Sequence, residues 1–136
     1  MKELEIYIDG ASKGNPGPSG IGAVIYHDGQ AIKNISSYIG NATNNVAEYT
    51  ALIYALQEAL LLKAEILIIN TDSQLLSKQI NKIYKIKSPN ISGLYNQVLH
   101  LMSAFRRVSI KDIPRQENRG ADKLATKAIK EQLRGR

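Results

Sequence analysis

The order in which strand-like and helical segments follow one another constrains the fold of this chain most. Residues 3–9, 20–27 and 30–39 have the residue patterns of half-buried strands, with Leu4, Ile6 and Ile8 alternating along the first. The second and third segments are joined by the dipeptide Asp28-Gly29, which is typical of a tight β-hairpin turn. These segments predict an antiparallel meander.

Helical patterns alternate with strands after the meander. Residues 43–63 predict a helix whose buried face comprises Val46, Tyr49, Ile53, Leu56 and Leu60. The Ile-rich run at residues 65–70 predicts a parallel strand that is covered on both faces. The remaining predicted elements are helices at 73–83 and 92–106, a strand at 108–113 and a last helix from Gly120. The order predicts one α/β domain over residues 1–136, with a five-stranded mixed sheet flanked by helices.

The composition excludes several classes of protein and site. The chain has no Cys, which rules out disulfides and thiolate metal sites. Residues 1–9 lack the apolar core of a signal peptide, and the longest apolar runs are too short to span a bilayer. We therefore expect a cytoplasmic protein with no membrane partner.

The net charge of +6 is distributed unevenly along the chain. Residues 1–77 contain four Lys and eight acidic residues, whereas residues 78–136 contain fourteen Lys or Arg and four acidic residues. An acidic half joined to a basic half suits a polyanion held close to metal ions. The alternative, judged on charge alone, is an ordinary solvated basic surface.

Four acidic residues in unlike settings are candidates for a metal site: Asp9, Glu48, Asp72 and Asp122. Three of them lie where a predicted strand ends or a predicted helix begins, which is where open α/β sheets bind ligands. Carboxylates gathered there repel one another unless a cation is present, and Mg2+ prefers oxygen ligands.

Each of these residues also has a purely structural interpretation. Asp9 could form a turn before Gly10, and Glu48 could complete a helix capping box with Asn45. Asp72 could cap the helix that follows it. An acidic residue such as Asp122 is favoured at a helix start by the helix dipole.

Four ordered motifs nevertheless resemble those of type 1 ribonuclease H. They are DGASKGNPGPSGIG at 9–22, TNNVAE at 43–48, TDSQ at 71–74 and NRGADKLA at 118–125, and together they span nearly the whole chain. The resemblance implies a ribonuclease H-like fold and an endonuclease that hydrolyses the RNA strand of RNA–DNA hybrids. It also implies two Mg2+ ions, with Mn2+ as a substitute, bound by Asp9, Glu48, Asp72 and Asp122. Asp9 is the candidate for a residue that bridges the two ions.

The resemblance also suggests which residues bind the substrate. They are Gly10, Asn15, Thr43, Asn45, Gln74, Lys85, Lys87 and Arg115. Asn15, Asn45 and Gln74 are candidates to read the minor groove and its 2′-OH groups, and Thr43 is a candidate for a DNA-phosphate pocket shared with Asn15. The lysines are candidates for contacts with DNA phosphates, although a solvated helix face is an equally simple interpretation.

The chain departs from the family pattern in two places. It passes from residue 83 to residue 94 without the basic helical extension of many members, and the loop before the last helix contains no His. We therefore expect a short form, with Arg115 or Glu117 in the place of the loop His. We also expect a monomer. A nuclease of the same fold acting on double-stranded RNA or DNA junctions, and a non-catalytic hybrid-binding module, are the alternatives.

Overall fold

The computed structural model describes residues 2–135, which form one five-stranded sheet and four α-helices. They are β1 (Glu3–Ser12), β2 (Gly17–His27), β3 (Gln30–Ala42), α1 (Asn44–Leu61), β4 (Ile66–Thr71), α2 (Gln74–Ile80), α3 (Pro89–Met102), β5 (Arg107–Asp112) and α4 (Arg119–Arg134). A short 3-10 helix, Arg115–Glu117, joins β5 to α4. Within residues 2–135, none of the helices combines the length and the apolar composition needed to cross a bilayer.

The sheet is mixed, as the sequence predicts. Its strand order is β3-β2-β1-β4-β5. The pairs β1–β2 and β2–β3 are antiparallel, whereas β1–β4 and β4–β5 are parallel. The hairpin turn at Asp28-Gly29 is confirmed, because both residues have positive φ (51° and 79°) as a type I′ turn requires. The central position of β1 places the carboxyl ends of β1 and β4 side by side.

The main core lies between the sheet and α1. Leu4, Ile6 and Ile8 are fully buried on the face of β1 that packs against this helix. Tyr49 and Leu56 of α1 are buried as predicted, but the prediction for Leu60 is wrong because its side chain is 38% exposed. Leu60 lies in the last turn of α1 next to Ala59, which is fully buried, so this turn packs against the core through its alanine side and leaves Leu60 partly exposed.

The opposite face of the sheet is covered by α4, and two glycines of β2 make this packing possible. A Cβ atom on Gly22 would lie 2.2 Å from the carbonyl oxygen of Ala121, and one on Gly20 would lie 2.5 Å from that of Ala125. The α4 backbone therefore rests directly on β2, at a distance that no larger residue permits. This contact fixes the position of Asp122, which follows Ala121.

Several element boundaries differ from the prediction. The strand β1 extends to Ser12, because Ser12 pairs with Ser19 across the glycine-rich segment. The helix α2 ends at Ile80, two residues before Lys82, which has a φ of 64° that a helix cannot continue through. The helix α3 begins at Pro89, because proline is well suited to the first helical position.

Candidate metal centre

Asp9 and Asp72 are neighbours because β1 and β4 are parallel and in register. Ile8 pairs with Thr71, and the residue that follows each of them in the chain is a carboxylate, so Asp9 and Asp72 lie at the same edge of the sheet. Asp9 is only 7% exposed and lies within β1, opposite Gly22 of β2. It therefore does not form the turn that its sequence also permitted.

Glu48 reaches this edge from α1. A Cβ atom on Gly10 would lie 2.3 Å from the backbone carbon of Ala47, so α1 approaches β1 as closely as a glycine allows. The backbone N–H of Gly10 donates a hydrogen bond to Glu48 Oε1. The capping-box interpretation of Glu48 is wrong, because Thr43 caps α1 by accepting from the N–H of Val46.

The capping interpretation of Asp72 is wrong as well. The helix α2 is capped by Ser73, whose Oγ accepts a hydrogen bond from the N–H of Leu76 at 3.1 Å. One oxygen of Asp72 instead accepts from Asn118 Nδ2 at 3.4 Å. The carboxylate of Asp72 is thus left facing the other acidic residues.

Asp9, Glu48 and Asp72 form a tight cluster. Each offers a carboxylate oxygen, and the three oxygens lie within 4.8 Å of one another. Burial raises the pKa of Asp9 strongly, and the nearby charges of Glu48 and Asp72 raise it further. Burial also raises the pKa of Glu48, although the Gly10 N–H opposes the rise. Three buried carboxylates this close together repel one another when they are all deprotonated. A divalent cation, which prefers oxygen ligands, would neutralise them and fits this set.

Asp122 lies at the rim of this cluster. It occupies the first turn of α4, so the prediction that it opens the last helix is confirmed. Its side chain lies 4.0 Å from the guanidinium of Arg115 and adds to the rise in the pKa of Asp9. The charge of Arg115 also counteracts part of the rise that burial causes in the pKa of Asp72. Arg115 thus faces the carboxylates from the loop before α4, which contains no His.

The cluster lies in an open groove of about 760 Å³. Nine of the residues singled out from the sequence line this groove: Asp9, Gly10, Asn15, Thr43, Asn45, Glu48, Asp72, Arg115 and Asp122. The structure places Gln74, Lys85 and Lys87 outside that set, all with exposed side chains. His27 and His100, the two histidines of the chain, are also absent from the lining residues.

Asn118 is a residue whose role the sequence analysis missed. It is 1% exposed, and its Nδ2 donates to the carbonyl oxygen of Ile8 at 2.8 Å as well as to Asp72. It therefore links β1, the residue that follows β4 and the start of α4. Its place four residues before Asp122, in the same motif, was the only signal for this role in the sequence.

Asn44 and Asn45 extend the polar wall of the groove. The Oδ1 of Asn44 accepts from the N–H of Ser12 at 3.0 Å, and its own N–H donates to Asn15 Oδ1 at 2.9 Å. These bonds fix the glycine-rich turn against the start of α1. The Oδ1 of Asn45 is buried without a hydrogen-bond partner, which is costly unless a ligand pairs with it.

The raised pKa values predict how stability depends on pH without metal. A carboxyl group whose pKa is higher in the folded than in the unfolded chain stabilises the fold only while it is protonated. In EDTA we expect the free energy of unfolding to fall by at least about 1.4 kcal/mol, one pKa unit, as pH rises from about 4.5 to about 8. Urea unfolding followed by circular dichroism measures this change.

Added Mg2+ should reverse the fall, because it binds the deprotonated carboxylates. An Asp9→Asn variant should show a smaller fall in EDTA, since the group with the strongly raised pKa is gone. A wild-type stability that stays constant or rises over the same pH range would contradict the assigned pKa directions.

Comparison with known proteins shows the family. The chain matches the family described as Reverse transcriptase-like over residues 7–128. It is 38% identical over 127 residues to Ribonuclease HI of Halobacterium salinarum, covering 93% of this chain and 64% of that protein. It is 37% identical over 147 residues to Ribonuclease H of Pelobacter propionicus, covering 97% of this chain and 87% of that protein.

Solved structures agree with these relatives. The crystal structure of RNase H1 from Halobacterium salinarum superposes with a TM-score of 0.93 at 37% identity, covering 95% of this chain and 98% of that one. The structure of LC11-RNase H1 in complex with RNA/DNA hybrid superposes with a TM-score of 0.90 at 36% identity, covering 96% of this chain and 99% of that one.

The sheet order and the acidic cluster at its central edge thus define the class of ribonuclease H-like proteins. The chain belongs to the ribonuclease H family, and it matches the short form that the sequence analysis predicted. It spans only 35% of the length of another relative, the Bifunctional protein Rv2228c of Mycobacterium tuberculosis, to which it is 41% identical over 129 residues.

Proposed function

We propose that this chain is an endonuclease that hydrolyses the RNA strand of RNA–DNA hybrids with the help of two divalent metal ions. The observation that carries the proposal is the cluster of Asp9, Glu48 and Asp72 oxygens within 4.8 Å of one another, on the floor of an open groove. The relative LC11-RNase H1, which shares the fold, has been crystallised with RNA/DNA hybrid. The same class of substrate is therefore the natural candidate for this groove.

The donor set suits two Mg2+ ions, with Mn2+ as a substitute. Glu48 and Asp72 would hold the ion on the leaving-group side, and Asp72 and Asp122 would flank the other, with Asp9 between them. When bound, two such ions activate a water and stabilise the leaving oxygen of a phosphodiester. The offset of Asp122 from the three-carboxylate cluster agrees with a second position beside the first.

The protein side chains would orient the substrate around this centre. The Gly10 and Asn118 hydrogen bonds fix the orientation of Glu48 and Asp72, so these carboxylates need little rearrangement on binding. Asn45 lines the groove, and its side-chain amide would be the group that reads a 2′-OH on the RNA strand. Arg115 supplies a positive charge near the phosphate without any imidazole.

The remaining sequence predictions concern more distant features. Gln74, Lys85 and Lys87 are proposed to contact the hybrid beyond the groove. Double-stranded RNA as a second substrate, a monomeric state, a single domain and a cytoplasmic location stay predictions from the sequence.

Substrate preference tests the proposal directly. We expect cleavage of an RNA–DNA hybrid with Mg2+ or Mn2+ and no cleavage in EDTA. A hybrid with 2′-O-methylated RNA should resist cleavage, because the readers of the 2′-OH lose their donor and meet added bulk. Gel analysis of end-labelled hybrid, duplex RNA and duplex DNA gives the comparison.

Each alternative function predicts a different pattern in the same assay. Efficient cleavage of duplex DNA would contradict recognition of the sugar, and stronger cleavage of duplex RNA than of hybrid would reassign the substrate. Binding of hybrid without cleavage in either metal would show a non-catalytic binding module.

A further inference from the structure

A row of basic side chains runs along the outer face of α4. Lys123, Lys127, Lys130 and Arg134 are separated by four, three and four residues, which places them on one face of the helix, and all are exposed. We refer to these four residues as the α4 basic stripe.

The stripe has no role in packing. The residues of α4 that pack on the sheet are Ala121, Ala125, Ala128 and Ile129, and at 100° per residue they lie on the opposite side of the helix. The small buried residues explain the position of α4. They do not explain why its outer face is basic at each successive turn.

The charges of the stripe are largely uncompensated. Lys127 lies 3.8 Å from Glu131, but both side chains are 61% exposed, and exposed pairs of this kind contribute little. Among residues 2–135, no carboxylate lies within 4.0 Å of the charged groups of Lys123, Lys130 or Arg134. Their charge is therefore available to an external anion.

The stripe is continuous with the carboxylate groove. Asp122 lines the groove of the metal centre and also lines a second groove, of about 450 Å³, which contains the four residues of the stripe. A nucleic acid strand whose scissile phosphate lies at the carboxylates would therefore meet these cations on leaving the site over Asp122.

We propose that the α4 basic stripe binds backbone phosphates of the substrate beyond the scissile phosphate. This inference rests on the proposed function, since it assigns a second binding surface to the same nucleic acid. The stripe spans twelve residues, and the eleven steps between its ends give a length of about 16 Å at 1.5 Å per residue. At about 3.4 Å per nucleotide along one strand, that length matches four or five phosphates. The stripe would bind phosphate and not bases, so it adds affinity without sequence preference.

Salt dependence of hybrid binding provides the test. The double substitution Lys127→Gln with Lys130→Gln is made in an Asp9→Asn chain, so that hybrid is bound without being cut. We expect weaker binding and a slope of log Kd against log salt that falls by about 1 for each phosphate that the protein no longer neutralises. In the chain that retains Asp9, the same substitutions should raise KM and leave most of kcat, because the stripe lies outside the reacting centre.

A matched control removes two positive charges from the end of the sheet that lies away from the metal centre. Lys63 follows α1 and Arg106 precedes β5, so both exposed residues lie away from the carboxyl ends of β1 and β4. Lys63→Gln with Arg106→Gln changes the net charge equally and should leave the salt slope nearly unchanged. Equal salt slopes for the two double variants would contradict phosphate binding by the α4 basic stripe. A loss of kcat without a change in KM would contradict it as well. If the Asp9→Asn chain with an intact stripe does not bind hybrid at all, the proposed function is refuted. The role proposed for the stripe is then refuted too, because it rests on that function.

Discussion

Replacement of Asp9 by Asn is expected to reduce hydrolysis of the RNA strand by about a thousandfold or more, while the protein remains folded. Asn has nearly the same size but carries no charge at the position between the two proposed ions. Metal-ion stabilisation contributes several kcal/mol to such a transition state, and each 1.36 kcal/mol is a factor of ten in rate. Single-turnover cleavage of labelled hybrid at saturating Mg2+ measures the loss.

The fold of this variant should be at least as stable as wild type in EDTA. Asp9 is buried beside Glu48 and Asp72, and the substitution relieves the repulsion that raises its pKa. Asp112→Asn is the matched control, since Asp112 is an exposed carboxylate at the end of β5 that does not line the groove. Near-normal cleavage by the Asp9 variant, or an equal loss in the control, would refute the metal assignment.

Replacement of Gly22 by Ala should destabilise the fold by about 3 kcal/mol or more. The new Cβ would lie 2.2 Å from the backbone oxygen of Ala121 and 2.7 Å from the backbone nitrogen of Ala125, so α4 must move. Overpacking against backbone is among the costliest single substitutions. Because Asp122 follows Ala121, we also expect cleavage to fall in whatever fraction stays folded.

Gly93→Ala provides the comparison for this prediction. Gly93 lies inside α3, and a Cβ at this position meets no atom within 4 Å. Alanine there should stabilise the protein by roughly 0.5–1 kcal/mol, because glycine is a poor helix residue. Urea unfolding of both variants gives the two free energies. A Gly22 variant as stable as wild type would show that α4 is not held as closely as the structure indicates.

The order of elements could be predicted from the sequence because it depends on local patterns. The hairpin at Asp28-Gly29 and the alternation of Leu4, Ile6 and Ile8 are each readable within a few residues. The prediction for Leu60 was wrong because it assigned the large apolar residue to the core, whereas this part of α1 packs through the small residues Ala55 and Ala59. The extension of β1 to Ser12 was missed for a related reason, since it depends on pairing with another strand.

The candidate site was predictable to a similar degree. The four carboxylates stand out because each lies within a family motif and three of them lie where a predicted strand ends or a predicted helix begins. The roles of Asn118 and Gly10 depend on distances between β1, β4 and the helices, and nothing local to either residue encodes those distances. The same limit applies to Lys85 and Lys87, whose distance from the groove follows from how the segment between α2 and α3 is folded.

The position of Asp122 on α4 has a consequence for protein synthesis. Domains emerge from the ribosome beginning at the N-terminus, so Asp9, Glu48 and Asp72 are all outside before α4 exists. A nascent chain of that length would have the acidic cluster at the edge of an unfinished sheet, with β2 uncovered where Ala121 and Ala125 later pack. Nuclease activity would therefore appear only after α4 has been released, because Asp122 and the cover of β2 arrive with that helix.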